Sequence, residues 1–143
     1  MQQMQKPTKQ EMKLYAIQAA VVGLAGGIAA VWTLMSFGGT ITRQMSGEVF
    51  ILLAMFGAFC AGFAVSPWLG RGGGKGALLS FASFLGATFI GAWIAGMLGL
   101  EPRNYDMVAM WLMIQFLTPG VVLWVALWGA THCAGVTIRR KLT

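Results

Sequence analysis

The chain has 143 residues, of which 57% are hydrophobic and 10% charged, with a formal net charge of +6. Soluble domains carry about 25% charged residues. Ten basic and four acidic side chains cannot cover a soluble surface of this size, and a mean hydropathy of +0.72 points the same way. The basic residues flank apolar runs instead of forming a patch within a folded face. The charge therefore reads as a topology signal, and no nucleic-acid partner is expected.

Four apolar runs cover about 14–37, 49–69, 77–100 and 107–133, and none contains Asp, Glu, Lys or Arg. About 20 helical residues cross the roughly 30 Å hydrocarbon core of a bilayer. The expected fold is an all-α integral membrane protein, four transmembrane helices packed as a bundle. Lys6, Lys9, Lys13, Arg71, Lys75, Arg139, Arg140 and Lys141 share one side with a single acid, Glu11. By the positive-inside rule, both termini and the middle loop are expected in the cytoplasm, in a bacterial inner membrane.

Residues 1–13 form a polar N-terminal segment. Thr8 and Glu11 have the spacing of a capping box, so helix 1 is expected to begin near Lys9. Its apolar run exceeds the roughly 7–15 residues of a signal-peptide core, which favours a retained span. Ala19, Gly23 and Gly27 recur at four-residue spacing, and Gly38-Gly39 offers a place to end the helix. Ser46 can cap helix 2, with Glu48 in its first turn.

Helix 2 repeats small residues at Ala54, Ala58, Gly62 and Ser66, and helix 3 at Ser83, Ala87, Gly91, Ala95 and Gly99. Small residues one turn apart let helix backbones approach closely. Gly23, Gly27, Ala58, Gly62, Ala87, Gly91 and Ala95 are therefore the expected packing positions. Between the two helices, Gly70 to Gly76 imitates a phosphate loop but fails its pattern. Leu69 stands where glycine is required, and Gly76 follows Lys75 where Ser or Thr is required. Lys13, Arg71, Lys75, Arg139, Arg140 and Lys141 are read as contacts to anionic lipid headgroups.

Helix 4 holds Gln115-Phe-Leu-Thr-Pro-Gly120, a proline break inside an apolar run. Proline removes one backbone N–H and crowds the carbonyl four residues earlier. Gln115, Thr118, Pro119 and Gly120, with Thr88 from helix 3, form the candidate midplane polar site or hinge. The structural reading, polar groups repairing a kink, is preferred to a binding site. A stripe through Trp111, Gln115, Thr118, Val122, Ala126, Gly129 and Cys133 is expected to face the bundle. Residues 134–143 read as a basic cytoplasmic tail.

His132 is the only histidine, and Cys60 and Cys133 are the only cysteines. His132 is kept as a possible ligand, but an interfacial histidine is the preferred reading, and no pigment or haem is expected. Metal sites need clustered His, Cys or carboxylates, and none can be assembled here. No cofactor, metal or catalytic constellation is expected. The sequence favours a small non-catalytic subunit that assembles into or stabilises a larger membrane protein complex. Its partners would be the lipid bilayer, anionic lipids, and other subunits or copies of itself. The alternatives are a homo-oligomeric channel or carrier for a small neutral solute and a holin-like permeabilising protein.

Overall fold

The computed structural model describes residues 6, 8–41, 46–99 and 120–142. Four helices account for nearly all of them: α1 (Lys9–Ile41), α2 (Gly47–Val65), α3 (Gly73–Gly99) and α4 (Gly120–Leu142). Each is long and apolar enough to cross a membrane.

The helix starts follow local chemistry. Thr8 Oγ1 accepts from the Glu11 backbone N–H at 3.2 Å, and the Thr8 N–H donates to Glu11 Oε2 at 2.7 Å. Two donors that a helix start leaves unpaired are thus satisfied reciprocally. Ser46 Oγ accepts from the Val49 N–H at 3.3 Å and opens α2. Helix α1 runs past Gly38-Gly39 to Ile41, 33 residues in all. That is about 50 Å at 1.5 Å per residue, well beyond a bilayer core.

The helices pack in an open ring. The seams α1–α2 and α2–α3 are extensive, α4 leans mainly on α1, and α4 touches α3 only lightly. The first two seams are made by missing side chains. A Cβ at Gly62 would stand 2.7 Å from Val22 Cβ, and one at Gly26 would meet Ala58 Cβ. A Cβ at Gly57 would strike the Gly91 carbonyl, while Gly91 lies against the Ala58 backbone. In the α2–α3 seam backbone meets backbone, and in the α1–α2 seam side chains such as Val22 and Met55 seat on glycines.

The core is thin, small residues around Leu69, Phe84 and Trp124: Val22, Ala25, Ala61, Val65 and Ala87 complete it. Many large apolar side chains lie outside. Leu24, Ile28, Met35, Leu52, Phe56, Leu78, Trp93 and Val122 are all exposed. A water-soluble monomer seldom exposes a contiguous apolar patch beyond about 600 Å². Here apolar side chains face outward on every helix.

Helix α4 carries the largest difference from expectation. It continues unbroken to Leu142, so the boundary drawn at 133/134 falls inside a helix and Arg139, Arg140 and Lys141 occupy its last turn. Cations there oppose the negative end of the helix dipole. Of the stripe expected to face the bundle, Trp111, Gln115 and Thr118 lie outside the described residues, and the described part does not face it. Val122, Ala126 and Cys133 are exposed and Gly129 has no neighbour in reach. Gly120, Trp124, Thr131 and Gly135 are buried instead. Trp124 fills the space between α1 and α3 and finds a polar partner for its indole N–H there, which outweighs the smallness of the opposite face.

Candidate functional site

Of the midplane candidates, Gln115, Thr118 and Pro119 lie outside the described residues. Gly120 is buried at the first turn of α4. Thr88 is tied to the same helix: Trp124 Nε1 donates to Thr88 Oγ1 at 2.9 Å, and that hydroxyl donates to the Phe84 carbonyl at 2.9 Å. Beside this pair lies a cavity of about 50 Å³, walled by Ala25, Gly26, Ala54, Ala58, Ala87 and Trp124 among others. It has room for water, but a buried water needs two to four polar partners. Among the described lining residues, Thr88 supplies one hydroxyl, already engaged as donor and acceptor. The cavity is apolar in character.

The main polar concentration lies at the basic end of the bundle, where α1 begins, α2 ends, α3 begins and α4 ends. The end of a helix leaves its last four carbonyls without helical partners. In α2 the problem is sharpened by Pro67, which has no N–H to continue the ladder. The chain closes with a tight turn, Ser66 N–H to Phe63 O at 3.3 Å and Trp68 N–H to Val65 O at 3.0 Å. The freed carbonyls are taken by side chains from elsewhere.

Arg139 of α4 takes most of them. Its Nε donates to Leu69 O at 2.8 Å, and its Nη2 donates to Ser66 O at 2.8 Å and Pro67 O at 3.1 Å. The planar guanidinium suits this task, because its donors form a rigid fork. Arg71 adds a second guanidinium, its Nε donating to Pro67 O at 2.8 Å. Gln18 Nε2 from α1 donates to Leu69 O at 3.3 Å, and Ser66 Oγ reaches Tyr15 O at 3.3 Å as well as Gly62 O at 2.7 Å. Ser80 Oγ of α3 accepts from the Gly70 N–H at 3.5 Å. Gln18 is 2% exposed, and Ser66 and Ser80 are fully buried. All four helices meet at one turn.

Glycines let this happen. Gly70 has φ +68°, in the left-handed region that other residues avoid. A Cβ on it would lie 2.5 Å from the Gly135 carbonyl carbon, and a Cβ on Gly135 would lie 2.8 Å from Gly70 Cα. This backbone contact brings α4 against the turn. Arg139, four residues past Gly135 and so on the same helix face, then reaches the carbonyls.

The remaining sequence candidates sort by position. Lys13, Arg71, Lys75, Arg140 and Lys141 are exposed at the basic end, whereas Arg139 is half-buried and turned onto carbonyls. Gly23, Gly27, Ala58, Gly62 and Gly91 lie at helix contacts, and Ala87 and Ala95 are buried. His132 stacks on Trp128, ring centroids 5.8 Å apart, and its Nδ1 and the Trp128 Nε1 are buried without hydrogen-bond partners. Among the described residues no three His, Cys, Asp or Glu side chains are grouped to hold a metal.

Sequence reasoning missed Gln18, Ser66, Ser80 and the inward role of Arg139. Signals were present: Gln18 is an amide within an apolar run, and Ser66-Pro67 marks a helix end short of donors. The Gly135–Arg139 spacing puts a close-approach residue and a cation on one helical face. No protein-family model matches the chain, and neither the curated proteins nor the solved structures contain a match to it.

Proposed function

We propose that this protein is an integral membrane subunit without catalytic activity. It assembles into, or stabilises, a larger complex in a bacterial cytoplasmic membrane. Both termini and the α2–α3 turn lie in the cytoplasm. The observation that carries this reading is the apolar exterior on every helix around a thin core. Such a surface needs lipid or protein on all sides. The gathering of exposed lysines and arginines at one end supports the orientation, since basic residues are retained on the cytoplasmic side.

Two outward positions support packing against further protein. Among the described residues, Gly86 of α3 and Gly129 of α4 have no atom beyond their own helix backbone within 4 Å of where a Cβ would stand. Glycine costs about 1 kcal/mol against alanine within a helix, and neither position recovers that by contact inside the chain. A second helix seated there would recover it. The apolar lining of the mid-bundle cavity offers a neutral polar solute little to bind, which favours the subunit reading over a carrier.

The test is native mass determination after extraction in mild detergent. A subunit co-purifies with a partner chain or with copies of itself. A lone monomer from every detergent tried would refute it.

A further inference from the structure

We propose that Arg71 and Lys75, beside the carbonyls of the α2–α3 turn, form a seat for the phosphate of an anionic lipid headgroup. The proposal rests on the membrane placement argued above, but not on the chain being a subunit of a complex.

Two guanidiniums converge on one acceptor. Arg71 Nε and Arg139 Nη2 both donate to the Pro67 carbonyl, at 2.8 and 3.1 Å. A carbonyl satisfies donors but cancels no charge, so two positive groups are held side by side by geometry. Like charges this close raise each other's cost unless an anion joins them. Arg71 and Lys75 form no ion pair among the described residues, and Glu11, the one acid on this side, is engaged with Thr8.

Arg71 also has donors to spare. Only its Nε is used within the chain; the terminal nitrogens make no hydrogen bond among the described residues, and the side chain is exposed. Fixing Nε on Pro67 orients the guanidinium plane, so its remaining fork is aimed before any ligand arrives. A fork of this kind matches a phosphate oxygen pair. Lys75 stands four residues on, also exposed, and the intervening Gly72, Gly73 and Gly74 leave open space around them. The site lies where the apolar helices end. In a membrane that depth is occupied by headgroup phosphates, which attract basic residues by about 1 kcal/mol each.

The experiment uses the full-length protein in nanodiscs of phosphatidylcholine alone or with phosphatidylglycerol added. Retained lipid is counted by native mass spectrometry, and melting is followed in parallel. The wild type is expected to retain phosphatidylglycerol in preference to phosphatidylcholine and to melt higher when it is present. Arg71→Gln should weaken that retention roughly fivefold, equivalent to about 1 kcal/mol. Arg140→Gln, the same charge change at an exposed residue away from Pro67, should weaken it less. Arg71→Lys should restore part of the loss.

Equal losses in the Arg71 and Arg140 variants would reduce the site to diffuse surface charge and overturn the proposal. So would displacement of the lipid by millimolar inorganic phosphate, which would mean a free-anion site. If Arg71→Gln lowers the melting temperature equally in both lipid mixtures, Arg71 serves only to cap Pro67, and the proposal also fails. None of these readouts depends on whether a partner chain co-purifies.

Discussion

The α1–α2–α3 seams and the attachment of α4 hold the same bundle together by opposite means. In the first, glycines make the room: the backbones touch at Gly57 against Gly91, and the Val22 side chain seats on Gly62. In the second, apart from the one glycine contact of Gly135 on Gly70, long side chains bridge: Trp124 to Thr88, Arg139 to the end of α2, and Phe81 edge-on to both Trp124 and Trp128. Within the span windows, 44% of α1 is buried, 28% of α2 and of α3, and 22% of α4, so α4 is the least covered. The close seams depend chiefly on shape and tolerate little added volume at their glycines. The α4 attachment depends on a few directional contacts and fails one contact at a time.

The widest gap between the two should come from Gly57→Leu. Its side chain would enter the Gly91 backbone, which cannot rotate away, so α2 and α3 must part. We expect a loss of about 3 kcal/mol or more, seen as little folded protein surviving detergent extraction.

Arg139→Gln should be milder and local. Hydrogen bonds from a charged donor contribute roughly 1.5–3 kcal/mol each, and other donors partly cover Leu69 O and Pro67 O. A net loss of about 2 kcal/mol is expected. Hydrogen exchange should quicken in α4 and residues 66–70 while the α1–α2 seam stays protected. Uniform quickening throughout would erase the distinction between the two regions.

Thr88→Val removes the acceptor of the buried Trp124 indole and should cost about 1 kcal/mol. The signature is faster exchange of that indole N–H with the backbone of α3 unchanged. Smallest of all is Gly129→Ala, where nothing stands near the added methyl. Melting of the isolated chain should rise slightly, by no more than about 1 kcal/mol. A fall in the mass of the native assembly with unchanged melting would locate a partner at this face.

The sequence carried the fold well because its strongest signals are one-dimensional. Apolar run length and the Thr8–Glu11 and Ser46 caps need no knowledge of neighbours. Small-residue ladders are nearly as local: Gly23, Gly62 and Gly91 stand at contacts, although Gly57, the tightest contact of α2, lies off the ladder read from Ala54, Ala58 and Gly62. The face of α4 was misread because smallness and polarity were weighed over volume. Only the gap between α1 and α3 explains why Trp124 turns inward while Val122, Ala126 and Cys133 turn out. The basic-end cluster was illegible for a different reason. Gln18, Ser66, Ser80 and Arg139 are far apart in the chain, and each alone reads as an ordinary interfacial residue. Ser66-Pro67 marks a helix end short of donors, but nothing in the sequence says which distant side chains serve it.

The Arg139–Leu69 hydrogen bond spans 70 residues of chain. At roughly 5–20 residues per second, the ribosome takes about 4–14 s to cover that distance. Through that interval the carbonyls at the end of α2 have only Arg71 on Pro67 O and Gln18 on Leu69 O, and α1, α2 and α3 must hold one another without α4. The division of labour in the finished bundle thus becomes a sequence in time. Shape assembles the first three helices as they emerge, and the guanidinium closes the turn when the fourth arrives. A chain lacking Arg139 would leave the Ser66 carbonyl without its guanidinium donor, a helix end that stays open to solvent until the fourth helix is complete.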